Sequence, residues 1–318
     1  MYKLLKRTIL FLLPVLIILI GLSLLFKNLI KNRSDFSLNS SCTTLVLGSS
    51  MTECSLNDSL IANTKNLCNG GETYLYTFQK LKNVVENNPQ ITTVFISFSN
   101  NQIDGKMDQW TYDDEHLNNY FAKYNFNMTV DDYKLIMRNN FTGFLKTEVK
   151  SIFENAKTIA RRKNMLADNN FGGYLHLKRN KLDSLIKAKY VNVLKSYQSD
   201  KKSQINIDYL KKIVAFCSEK KINLFLVRTP IHPVLFGIFD ENEFQNIRKT
   251  NYPKVPFLDF HNFPVTNDEF GDFDHLNYKG AKRFSLFFNE LREKQIFKTP
   301  NYQQVIDSEM DQLKQIQK

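Results

Sequence analysis

Cysteine is scarce and dispersed in this chain: Cys42, Cys54, Cys68 and Cys217 show no Cys-x-x-Cys spacing and no clustered histidines, which argues against a structural zinc site. Their redox state is open, because an oxidised pair among the first three and unpaired buried thiols both fit an exported body. No helix-turn-helix, zinc-finger or RNP-like aromatic pattern accompanies the net charge of +11, which comes from 43 Lys and Arg against 32 Asp and Glu. Nucleic acid is therefore not an expected partner, and the basic balance fits an anionic envelope polymer or lipid surface. No internal repeat is visible. With 42% hydrophobic and 24% charged residues among 318, the expectation is one large domain with an insertion rather than disorder.

Alanine is missing ahead of Ala62, so no Ala-x-Ala cleavage site follows the uncharged run TILFLLPVLIILIGLSLLF at residues 8–26. That run is long enough to cross a hydrocarbon layer of about 30 Å as a helix, and it reads as an uncleaved signal anchor. Lys3, Lys6 and Arg7 before it nearly balance Lys27, Lys31 and Arg33 after it. A short basic start ahead of a long folded body usually stays inside, because large domains translocate largely regardless of charge. The expected layout is a cytoplasmic start at 1–7, a span at 8–26 in the inner membrane, a polar linker at 27–41, a body at 42–298 on the periplasmic or extracytoplasmic side, and a polar, loosely packed tail at 299–318.

Within the body, short β-branched and apolar runs alternate with amphipathic stretches. Strands are expected over 43–47, 65–68, 92–98, 223–227 and 257–259, and helices over 55–62, 73–86, 205–219, 241–249 and 277–294. Residues 104–203 interrupt this alternation with helical stretches around 130–138, 147–161 and 180–197, so they read as an inserted helical lid; the tight basic cluster Arg161-Arg162-Lys163 reads as a solvated helix face. Strands separated by helices imply a mainly parallel sheet covered on both faces, a three-layer α/β sandwich whose ligands bind outside the carboxyl ends of the strands.

The polar motifs fall at those ends. Gly48-Ser49-Ser50 follows the first strand, Gly70-Gly71 the second, Asn100-Asn101 the third and Arg228 to His232 the fourth, while Asp272-Phe273-Asp274-His275 precedes the last helix. A serine hydroxyl is a poor nucleophile at neutral pH and needs a histidine within hydrogen-bond reach, oriented by a carboxylate. Ser50, His275 and Asp272 supply those three types. Taken singly, each motif also reads as turn or cap chemistry, with Asn277 the expected cap of the last helix.

Together the blocks Val46-Leu47-Gly48-Ser49-Ser50, Asn69-Gly70-Gly71, Phe98-Ser99-Asn100-Asn101 and Asp272-Phe273-Asp274-His275-Leu276-Asn277-Tyr278-Lys279-Gly280-Ala281 resemble the SGNH hydrolase family, the GDSL-like lipases and esterases. The resemblance implies a flavodoxin-like SGNH hydrolase fold. It makes Ser50 the nucleophile, His275 the base and Asp272 its orienting partner, with the Ser50 and Gly71 N–H groups and the Asn100 side chain as the oxyanion hole. Gly70 competes with Gly71 and Asn101 with Asn100; Ser49 stands where the family usually carries Asp, and Phe98 where it usually carries Gly. The likeness covers 43–101 and 223–294 and leaves the insert unexplained.

His232 and Arg228 are candidate substrate contacts, with an ordinary loop histidine and an arginine paired to a carboxylate as the plainer readings. Trp110, Tyr120, Phe121 and Tyr124 either stack on a sugar or pack the insert's core. No metal or cofactor is expected. The expected function is cleavage or transfer of an ester-linked acyl group through an acyl-serine intermediate, on a cell-envelope carbohydrate by analogy with anchored members of the family. A non-catalytic scaffold or polysaccharide-binding protein on the same fold is the alternative, and the oligomeric state is left open.

Overall fold

A computed structural model describes residues 2–161, 164–166, 171–196 and 201–316. Five short strands, β1 (Thr44–Leu47), β2 (Thr64–Asn66), β3 (Thr93–Ser97), β4 (Asn223–Arg228) and β5 (Phe257–Asp259), form one parallel sheet in the order β2-β1-β3-β4-β5. This is the flavodoxin-like doubly wound order, and the winding reverses between β1 and β3. The loops leaving β1 and β3 therefore stand on the two sides of the crevice where such sheets bind ligands.

Side chains alternate across the sheet and build two cores. Leu45, Leu47, Val94 and Ile96 pack with the helices Tyr74–Asn87 and Gln204–Glu219, whereas Val46, Phe95, Val227 and Leu258 pack with the helix Tyr278–Glu293. Phe95 anchors the second core, with ring centroids 5.2 Å from Phe225 and 5.1 Å from Phe288. Full burial on both faces is why these strands read as continuous apolar runs rather than alternating ones.

Three stretches differ from the sequence expectation. The first helix, α1 (Tyr2–Arg33), does not stop at Phe26, and Ile30 and Phe36 beyond the apolar run are buried in the first core. The helix expected over 55–62 begins at Ser50, as α2 (Ser50–Ser55), and only a single 3-10 turn, Asp58–Leu60, comes after it. Polar residues in both segments hid the boundary, because Ser and Thr favour caps and turns over helix interiors. The tail is not loose: the helix Tyr302–Ile316 buries Ile306 and Met310 against the second core.

The insert contains the helices Val130–Asn139 and Phe141–Arg161, succeeded after the residues not described by an extended strap over 172–181. Arg162 and Lys163 of the basic cluster lie outside the described residues. The strap returns to the carboxyl ends of the strands: Gly173 N–H donates to Cys68 O at 2.9 Å, Leu175 N–H to Glu53 O at 3.0 Å and Lys181 N–H to Gly271 O at 2.9 Å. All four cysteines are buried and unpaired.

Candidate active site

Gly48 ends β1 with φ +137°, and a Cβ at that position would overlap Ser97 Cβ on β3, so only glycine lets the two strand ends converge. Ser49 is extended at the N-cap position of α2, its Oγ accepting from Gln102 Nε2 rather than from the helix, which makes Ser50 the first helical residue. Across the crevice, the Asp272–His275 turn is closed by Asp272 Oδ1, which accepts the N–H groups of Asp274 at 3.2 Å and His275 at 3.0 Å. Asn277 caps the helix behind the turn, accepting from Lys279 N–H at 2.9 Å.

These elements bring Ser50, His275 and Asp272 into line. Ser50 Oγ lies 2.8 Å from His275 Nε2, and His275 Nδ1 lies 2.8 Å from Asp272 Oδ1. Two further groups join them. Asp274 Oδ1 stands 3.0 Å from the same Nδ1, and the Arg179 guanidinium, carried by the strap, pairs with Asp272 Oδ2. Asp274 was visible as the third residue of the Asp-x-x-His motif; Arg179, 93 residues away and in a run without periodicity, offered no signal.

The electrostatics follow from this crowding. Burial by itself disfavours the His275 imidazolium, but the charge of Asp274 and the hydrogen bonds of Asp272 and Asp274 outweigh it and raise the imidazole to about 10. Burial likewise works against the Asp272 carboxylate, and its bond to His275 with the nearby Arg179 still holds it below the ordinary carboxylate range. Both carboxylates at Nδ1 thus favour the protonated imidazole, while Nε2 faces Ser50 Oγ.

A cavity of about 90 Å³ beside Ser50 is lined by Ser49, Met51, Gly71, Asn101, Trp110 and Asp274, among others. Gly71 holds φ +75° at its wall, while the N–H of Gly70 is committed to the Glu53 carboxylate one turn along α2. Burial raises Glu53 to about 7, against the pull of Lys80. Of the two asparagines, Asn101 lines the cavity and reaches Asp274 Oδ2 at 3.4 Å, whereas Asn100 turns its Oδ1 to Arg228 Nη1 at 3.3 Å. Gly71 and Asn101 therefore border the cavity beside Ser50, and Asn100 does not line it.

The two candidate substrate contacts are not at the site. Arg228 is 1% exposed and bonds Glu241 at 2.7 and 2.9 Å and Asp259 through Nε at 2.8 Å, so it ties the end of β4 to its neighbours. His232 is buried between Phe270 and Phe273, and its Nδ1 accepts from Val234 N–H at 3.3 Å as the cap of the short helix Pro233–Phe236. Its own N–H donates to Phe273 O at 2.9 Å, which braces the Asp272–His275 turn from behind.

Among the insert's described aromatics, Trp110 alone borders the cavity. Its ring stacks 4.9 Å from His116, whose Nδ1 is held by Asp113 at 2.8 Å and whose Nε2 lies 3.2 Å from where a Cβ on Gly71 would stand. Tyr120 donates its hydroxyl to Gly70 O, Phe121 is buried in the insert, and Tyr124 is buried in the first core, where it donates to Glu72 Oε2 at 2.9 Å. The insert therefore supports the Gly70-Gly71 loop from outside, a role that sequence reading did not assign to His116.

A family model matches residues 176–297, the stretch that carries Arg179, Asp272, Asp274 and His275. No curated protein matches the chain. Among solved structures, one described as a candidate acylhydrolase from Bacteroides fragilis NCTC 9343 is 12% identical, covers 85% of this chain and 95% of its own, and superposes with a TM-score of 0.37. A GDSL-like lipase from Bacteroides thetaiotaomicron VPI-5482 is 10% identical, covers 86% of this chain and 99% of its own, with a TM-score of 0.36. Likenesses this distant carry no functional conclusion; the chemistry open to the site is set by its own residues.

Proposed function

We propose that the chain is a serine esterase or O-acyltransferase working through an acyl-Ser50 intermediate. The observation that carries this reading is the aligned Ser50 Oγ, His275 imidazole and Asp272 carboxylate, each contact 2.8 Å long. With His275 neutral, Nε2 takes the Ser50 proton as Oγ attacks the ester carbonyl carbon. The tetrahedral oxyanion is met by the Ser50 and Gly71 N–H groups and the Asn101 carboxamide. Collapse breaks the ester C–O bond, the leaving alcohol takes the proton from Nε2, and the acyl group stays on Ser50. Water or a second alcohol then repeats the sequence in reverse. The motif resemblance to SGNH hydrolases supports the same assignment.

The substrate class we assign is an acylated cell-envelope carbohydrate. The apolar α1 anchor, the basic balance and Trp110 at the cavity wall support it, since an aromatic face beside a small cavity suits a sugar ring carrying a short acyl group. In this reading α1 lies in the inner membrane and the body on its extracytoplasmic side.

The test is covalent labelling of the full chain with a fluorophosphonate probe. We expect labelling of the unmodified protein and its loss in Ser50→Ala and His275→Ala. Labelling that persists in Ser50→Ala sinks the nucleophile assignment, and no labelling of the unmodified chain at any pH from 7 to about 10, the value to which His275 is raised, favours a non-catalytic scaffold.

A further inference from the structure

The helix Phe141–Arg161 has a face that stays exposed among the described residues. Phe141, Leu145, Val149 and Phe153 are 59%, 45%, 41% and 62% exposed. Their spacing of four drifts by about 40° per step, so they form one stripe. Lys146, Lys150 and Lys157 are exposed on the same helix. Phe144 and Ile152, beside the stripe, are buried toward the groove with α1, and Ser151 and Asn155 are buried against the body.

The stripe is continuous with α1. The two helices pack together around a groove of about 400 Å³, walled by Leu16, Leu19, Ile20 and Leu24 on one side and by Phe141, Leu145 and Val149 on the other. Those four α1 residues all belong to the uncharged run 8–26, and an 18-residue window within Leu13–Arg33 of α1 has a mean hydropathy of 2.3. A wall at that level along a spanning helix lies at hydrocarbon depth. The charges at the seam are paired: Glu148 Oε1 accepts from Ser23 Oγ and from Lys27 Nζ at 2.6 Å, and Lys27 also sits 4.6 Å over the Tyr133 ring, while the buried Glu148 Oε2 has no hydrogen-bond partner among the described residues.

We propose that the helix Phe141–Arg161 is a second membrane-contact element, its Phe141, Leu145, Val149 and Phe153 stripe seated among the acyl chains beside α1 and its lysines reaching lipid phosphates. The occupant is the bilayer itself rather than a partner protein, because the stripe extends a surface already formed by exposed Leu16, Ile17, Ile20 and Leu24 of α1, and because apolar residues flanked by lysines suit an acyl–headgroup boundary. The inference rests on the reading of α1 as a membrane anchor. It fixes the body against the membrane surface instead of leaving it on a tether.

The test uses the full chain in vesicles of phosphatidylcholine and phosphatidylglycerol, with a bimane probe on one introduced cysteine at a time. The four native cysteines are buried, so labelling is selective. Leu145→Cys and Phe153→Cys report the stripe, Leu16→Cys reports α1, and Leu286→Cys, 48% exposed on the helix Tyr278–Glu293 of the opposite layer, reports solvent. All four positions are exposed, so none of the substitutions empties a core. Acyl-chain-brominated lipids should quench Leu145 and Phe153 probes several-fold more than the Leu286 probe. Quenching at Leu16 with none above the Leu286 level at Leu145 and Phe153 overturns the inference and leaves the anchor standing. No quenching at Leu16 overturns both.

Discussion

At the residue scale the proposed chemistry turns on where the proton of His275 sits. With the imidazole raised to about 10, roughly one molecule in a thousand carries the neutral base at pH 7, so acylation should speed up with rising pH until that value is passed. Asp274→Asn removes one of the two carboxylates at Nδ1. It should move the alkaline-rising limb of the fluorophosphonate labelling rate down by about one pH unit or more and accelerate labelling at pH 7. An unchanged limb would show that Asp274 does not act on the base. The oxyanion assignment is separable in the same assay: Asn101→Ala should slow labelling about a hundred- to a thousandfold, and Asn100→Ala should leave the rate near that of the unmodified chain while loosening Arg228. The reverse ranking restores Asn100 to the site. The placement of the motifs at strand ends and a helix cap, read with their resemblance to SGNH hydrolases, was enough to single out Ser50, Asp272 and His275. It was not enough for Asn101 or Arg179. Neighbouring asparagines differ only in which way the turn after β3 rotates them, and Arg179 arrives through a strap with no periodic signal.

At the element scale, the sheet was legible because its strands are apolar runs bounded by turn residues, and their parallel pairing is dictated by the helices between them. What pins the elements was less legible. Arg228 ends β4 inside a cage of Asp259 and Glu241, and the Asp259 carboxylate is held at about 2, where burial works against it and the bonds from His261 and Arg228 outweigh burial. Because its folded value lies below the ordinary 3.8, Asp259 contributes stability at neutral pH that is lost as pH falls from there toward about 2. Removing the cation leaves the buried Asp259 carboxylate with His261 alone and takes the partner from Glu241, so Arg228→Ala should destabilise the fold by about 3–5 kcal/mol, read as a lower urea midpoint. If instead the midpoint holds and only substrate turnover falls, Arg228 has the binding role that its burial argues against.

At the scale of the whole molecule, the sequence distinguishes an apolar helix, a polar stretch and a body, which suggests a domain swinging from an anchor. The side chains of Lys27 and Glu148, 121 residues apart, could not be paired from a single sequence, and they turn the tether into a joint. Up to Arg33 the first helix covers one wall of the insert, shielding Phe144 and Ile152, and its Ile30 completes the first core. A chain cut to begin at residue 34 therefore loses a packed wall rather than a leash, and the uncovered groove adds to the exposed stripe a surface of the size that drives association. Such a fragment should elute from size exclusion as large assemblies without detergent and become monodisperse with it, at a lower melting temperature than the full chain in the same detergent. A monodisperse fragment without detergent, melting where the full chain does, would mean that the first helix contributes only attachment.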